Sequence, residues 1–144
     1  MAIISAQHPW DPSNPAGSTL FHEENGALLQ WPVKLWKISS VSPFFHNAHL
    51  LISADCAAYA CAQFHEKFCR SRIPLICCPE SDFDISIKLS EILSLNDIRS
   101  ITVVKMDSPC CQSLYEQVTT AVKLSKKPLL VQATTLFIEA EVID

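Results

Sequence analysis

Glycine is nearly missing from this chain: 144 residues contain two, Gly17 and Gly26, both near the start. A dinucleotide fingerprint or a P-loop needs glycines where the backbone closes on phosphate, so neither is present. Basic clusters are also missing. Apart from Lys123, Lys126 and Lys127 no Lys or Arg grouping stands out, and the net charge is −4, so no nucleic-acid-binding face is expected. There is no run of about 18 apolar residues, so no transmembrane helix and no membrane association are expected. The opening MAIISAQHPWDP lacks the basic start and long apolar stretch of a signal peptide. The expected location is the cytoplasm.

What is there is a core-forming balance. Hydrophobic residues make up 49% and charged residues 18%, which suits one globular domain and argues against disorder. Seven cysteines are the compositional outlier. An odd count fits poorly with a fully paired framework, and in a cytosolic chain so many thiols point to metal or redox chemistry.

Residues 1–27 hold both glycines and the turn-rich run DPSNPAGS, and read as an irregular arm with Trp10 and Phe21 as anchors. A single α/β domain is expected over 28–144. In LLQWPVKLWKI (28–38), Val33, Leu35 and Lys37 alternate around Trp36 and Ile38, which predicts a strand with Pro32 at its start or at a sheet edge. His49–Ala54 is a short apolar run that suits a buried parallel strand. Residues 57–70 have helical periodicity, with Ala57, Tyr59, Ala60, Phe64 and Phe68 facing a sheet. Ile73–Cys77 is a second short strand. Asp84 can cap a helix over 85–95 whose apolar face is Ile85, Ile87, Leu89, Ile92 and Leu93. Arg99–Met106 is a β-branched strand, followed by a helix to about Leu124 that Lys126–Lys127–Pro128 breaks. LLVQATTLFIEAEVI supplies one longer strand or two short ones. The pattern is β-(β-α)3-β: a mostly parallel open sheet of about five strands, helices on both faces, right-handed crossovers.

Open α/β sheets bind ligands outside the carboxyl ends of their strands. Three successive predicted strands end in cysteine, at Asp55–Cys56, Cys77–Cys78–Pro79 and Ser108–Pro109–Cys110–Cys111. In a parallel sheet these ends share one edge, so Cys56, Cys78, Cys110 and Cys111 are expected to converge there. Thiolates are preferred ligands of iron–sulfur clusters and zinc. Cys56 and the Cys110–Cys111 pair also fall at predicted helix N-termini, which favour a thiolate. Two adjacent ligands are awkward on one metal ion and easier on a multi-iron cluster. Cys77 is expected to turn to the core, and Cys61 and Cys69 to be structural. His65, on the same helical face as those two, is a candidate further ligand or proton carrier.

At these residues the chain resembles the α/β domain of ferredoxin-related 4Fe-4S binding proteins of bacteria and archaea. The likeness runs from about Trp31 to Val118. It is carried by WPVKL (31–35), the PFF to ADC run (43–56), FHEKF (64–68), the Cys78–Pro79 turn and NDIRSITVVKMDSPCC (96–111). Cys56, His65, Cys78, Cys110 and Cys111 fall on matching positions. The resemblance implies an iron–sulfur-associated redox protein. Two departures matter. The C-x-x-C-x-x-C-x-x-x-C-P run of the ferredoxin domain is missing, so an electron partner such as a ferredoxin would be a separate protein. Gln112–Ser113 also stand where glycines are expected.

The leading expectation is a cluster, 4Fe-4S in type, held by Cys56, Cys78, Cys110 and Cys111, for electron transfer or redox sensing. A zinc or other metal-binding structural or regulatory module is the second. A thiol redox or sulfur-transfer enzyme using Cys110 and Cys111, with His65 as acid/base, is the third. The apolar arm and a strand edge leave room for a homodimer.

Overall fold

A computed structural model describes residue 28 and residues 30–138 of the chain. The expected arm over 1–27 and the last six residues lie outside the described residues. Four strands form one sheet: β1 (Ala48–Ala54), β2 (Ile73–Cys77), β3 (Ile98–Met106) and β4 (Val131–Leu136), in the order β2-β1-β3-β4. Every pairing is parallel.

The two central strands show why these runs become strands. Leu50, Leu51, Ile52, Val103 and Val104 are all buried, so consecutive side chains on both faces are covered. A strand covered on both faces needs an unbroken apolar run, and both sequences supply one. Two polar residues of these strands, Ser53 and Thr102, are buried as well, and Ser53 donates to the Ala54 carbonyl at 3.0 Å.

The crossovers are α1 (Ala57–Ala60) with a π-helical turn (His65–Cys69), α2 (Ser86–Leu95) and α3 (Gln112–Ser125). Asp84 Oδ1 accepts from the Ser86 N–H at 2.8 Å and from its hydroxyl at 2.6 Å, which fixes the start of α2. Leu89, Ile92 and Leu93 of α2 and Leu114, Val118 and Ala121 of α3 are buried. The two helices pack on each other and therefore share one face of the sheet. Lys126 takes a left-handed φ of 59° and ends α3. The chain moves one way from β1 to β2, and the other way from β2 to β3 and β4. Right-handed crossovers then place residues 55–72 on the opposite face. The direction reverses between β1 and β3, where open α/β sheets form their ligand crevice.

Three expectations change. The strand over 28–38 shrinks to one parallel bridge, Lys34 to Ile76, held by Leu35 N–H to Ile76 O at 3.0 Å and Ile76 N–H to Val33 O at 2.9 Å. The chain then turns at once, with Lys37 and Ile38 N–H both returning to Lys34 O. The helix over 57–70 breaks at Cys61, whose ψ of 113° is extended. Its expected sheet-facing stripe is broken with it: Ala57 and Phe64 are buried, whereas Tyr59 is 98% exposed. Ile87 of α2 is exposed as well, because the buried face follows Ile85, Leu89, Ile92 and Leu93 and leaves it outside. Among the described residues no helix is long and apolar enough to cross a membrane.

Candidate functional site

The site is the carboxyl edge of β2, β1 and β3. Ala54 is level with Cys77, and Ser53 with Val104. Asp55 N–H continues the ladder to Cys77 O at 3.0 Å. Cys56 and Cys78 therefore leave adjacent strands at nearly the same height. Cys110 and Cys111 leave β3 slightly later, in the 3-10 turn Pro109–Cys111. Adjacent strands stand about 4.8 Å apart, so the ends of β2 and β3 are separated by about 10 Å with β1 between them.

The turn after β2 is built around Cys78. Asp82 N–H donates to Cys78 O at 2.8 Å, and Cys78 N–H donates to Asp82 Oδ2 at 2.7 Å. Pro79, Glu80 and Ser81 lie inside the turn that Asp82 closes. Hydrogen bonding from Ser81, its hydroxyl foremost, and from the Glu80 N–H lowers the Cys78 thiol pKa from its ordinary value, against partial burial and the Asp55 charge. The turn, opened by Cys78–Pro79, spans five residues without glycine.

A charge triad braces this turn. Lys34 Nζ lies 2.8 Å from Asp55 Oδ2 and 3.0 Å from Asp82 Oδ2. Burial alone would lower the Lys34 pKa, but the two carboxylates raise it. For Asp82, burial is likewise outweighed by the Cys78 N–H and the Lys34 ammonium, which hold the carboxyl below its ordinary range. Asp55 Oδ1 is buried with no hydrogen-bond partner among the described residues. Sequence reasoning missed Lys34 and Asp82. The one signal for Lys34 was a charge flanked by apolar residues in WPVKL.

The other cysteines divide. Cys56 is exposed at the start of α1. Cys110 is half-buried, its sulfur 3.2 Å from the Ser108 hydroxyl. Cys111 is only 4% exposed and belongs to the hydrophobic core. Cys77 points inward as expected: it is buried, and burial, reinforced by Asp55 and Asp82, pushes its thiol up to about 12. Burial likewise pushes Cys69 up to about 11. Cys61 is half-buried against the core. His65 is exposed on the π-helical turn, its ring edge-on to Phe64 at 5.9 Å. Among the described residues no three His, Cys, Asp or Glu side chains gather as a group that could hold a metal ion. The sheet brings the four expected ligands to one edge without assembling a four-cysteine cage, since Cys111 is packed inward.

A family model described as a Rossmann-like domain matches residues 42–144. A protein of Archaeoglobus fulgidus described as an uncharacterized protein is 30% identical over 90 residues, which cover 61% of this chain and 63% of that protein. The chain thus spans less than two thirds of that relative's length. No solved structure matches.

Proposed function

This chain belongs to the Rossmann-like domain family, and on that premise we propose that its strand edge is a thiol redox site with Cys78 as the reactive group. The observation that carries the reading is the closed turn at the end of β2, in which the Cys78 N–H and carbonyl are both bonded to Asp82, with Ser81 and Glu80 drawing the Cys78 thiol pKa down. A thiolate, not a thiol, is the attacking species, and hydrogen bonds to the charged form make it available near neutral pH. The near-lack of glycine directs the reading away from nucleotide phosphate and towards sulfur chemistry.

In this reading the substrate is a disulfide. The Cys78 thiolate attacks one sulfur, a mixed disulfide forms, and the other sulfur leaves as a thiolate. Cys56, exposed on the neighbouring strand end, supplies the second thiol. Its attack on the Cys78 sulfur gives a Cys56–Cys78 disulfide and releases the second thiolate. Two electrons pass from the protein to the substrate, and a separate dithiol protein restores the starting state. The pair differs from the expected Cys110–Cys111, because Cys111 is packed in the core. A reducing cytoplasm is the compartment in which such thiols persist.

The test uses an excess of a small aromatic disulfide. With Cys56→Ser the expected product is a stable mixed disulfide on Cys78, found by peptide mass spectrometry. The unaltered chain should instead accumulate the Cys56–Cys78 bond. A mixed disulfide on Cys110, with Cys78 left free, would contradict the proposal.

A second reading is favoured by cysteines at three adjacent strand ends and by the resemblance to ferredoxin-related 4Fe-4S proteins. Here Cys56, Cys78, Cys110 and Cys111 bind an iron–sulfur cluster and exchange electrons with a ferredoxin. This reading requires Cys111 to leave the core. Anaerobic reconstitution with iron and sulfide would then give absorption near about 400 nm that Cys78→Ser abolishes. Colourless protein would set this reading aside.

A further inference from the structure

Lys34 reaches two turns at once. Its Nζ lies 2.8 Å from Asp55 Oδ2, in the turn after β1, and 3.0 Å from Asp82 Oδ2, in the turn after β2. Each turn carries one thiol of the redox pair. Asp55 is the residue before Cys56. Asp82 is bonded to both backbone groups of Cys78, through its own N–H and through Oδ2. Among the described residues no side-chain hydrogen bond runs from one turn directly to the other, and both carboxylates end on the one ammonium. The remaining tie is the backbone bond from Asp55 N–H to Cys77 O at 3.0 Å. Lys34 is itself firmly based. Its neighbours Val33 and Leu35 both bond to Ile76 of β2. Trp36 Nε1 donates to Phe83 O at 3.2 Å, and the two rings meet edge to face at 6.1 Å.

Alignment of the two turns matters for this pair. The register that sets Ala54 beside Cys77 puts Asp55, not Cys56, beside Cys78. Cys56 stands one residue farther along. A disulfide closes only with its Cα atoms about 4.4–6.8 Å apart and the Cβ vectors suitably turned. A small slip of one turn past the other therefore controls whether the bond forms. We propose that Lys34 is the positioning residue of the thiol pair: it clamps the turn of Cys56 to the turn of Cys78 and so sets how readily the two sulfurs join. It acts through Asp55 and Asp82. This role rests on the thiol reading above and names what holds that pair in register.

Equilibration of the full chain in mixtures of oxidised and reduced glutathione tests this, with the Cys56–Cys78 bond quantified by peptide mass spectrometry after an acid quench. One oxidised glutathione takes two electrons and two protons from the two thiols and becomes two reduced molecules. Lys34→Met should lower the equilibrium constant for closing the bond roughly tenfold, about 30 mV for this two-electron couple. Lys34→Arg keeps the charge and offers several donors to the two carboxylates, so it should recover most of that loss. Asp55→Ala frees the clamp at its other end and should lower the constant as well. Combining Lys34→Met with Asp55→Ala should cost no more than the larger single effect, because the two residues act as one unit. Asp55→Ala carries the test if Lys34→Met fails to fold. An unchanged constant in Lys34→Met or in Asp55→Ala, or a loss that Lys34→Arg leaves in place, would overturn the role of Lys34 and leave the Cys56–Cys78 pair standing. Failure of the unaltered chain to form that bond at any glutathione ratio would instead remove the thiol reading, and this role with it.

Discussion

Cys77 and Cys78 are neighbours with opposite chemistry, and backbone alternation is the reason. Successive strand residues point to opposite sides, so one sulfur enters the core and the next reaches the turn. Burial holds Cys77 as a neutral thiol up to about 12, whereas the Ser81 and Glu80 donors favour the Cys78 thiolate. The buried thiol has a consequence for stability. Its folded pKa is raised above the unfolded value of about 8.5. Between these values the unfolded chain has lost the proton and the folded chain has kept it, so rising pH favours unfolding. Stability measured by urea denaturation should fall from about pH 8.5 upwards, and Cys77→Ala should flatten part of that slope. An unchanged slope would show that Cys77 does not ionise on unfolding in this range. The inward turn of Cys77 was legible in the sequence, because alternation alone decides it. The closed turn around Cys78 was not. It depends on Asp82 reaching back to the Cys78 N–H and carbonyl, and no local pattern in Cys-Pro-Glu-Ser-Asp specifies that closure.

Among the elements, the strands were the most legible. Long apolar runs such as His49–Ala54 and the β-branched Arg99–Met106 admit few alternatives inside a domain of this size. The segment over 28–38 was the least legible. Its alternation is that of a strand, but after one bridge to Ile76 the backbone turns at Leu35–Lys37, a choice made by tertiary contacts. Its value to the site is the Lys34 side chain, which ties this segment to the turns after β1 and β2. Lys34→Ala leaves Asp55 and Asp82 without their cation. The triad is partly exposed and therefore screened, so the expected loss is about 1 kcal/mol in chemical denaturation. A negligible loss would mean that solvent already satisfies both carboxylates. The break at Cys61 was equally hidden, since AAYACAQF reads as continuous helix by propensity.

The molecule as a whole follows from topology. Strand order β2-β1-β3-β4 puts the ends of β2, β1 and β3 side by side, and the cysteines at those ends were the part of the site the sequence disclosed. It did not disclose which thiols face outward. Cys111 is drawn into the core beside α3, while Cys56 and Cys110 stay at the surface or half-exposed. That division moves the weight of the site from the adjacent pair Cys110–Cys111 to Cys78 and its neighbour Cys56.

The most direct measurement is a pH series of brief alkylation with iodoacetamide, read cysteine by cysteine by mass spectrometry. The account predicts that at neutral pH Cys78 is labelled before the more exposed Cys56, and that its rate persists to lower pH than that of any other cysteine. If Cys56 or Cys110 is labelled first, and the Cys78 rate rises only near the ordinary thiol value of about 8.5, the thiolate site does not exist.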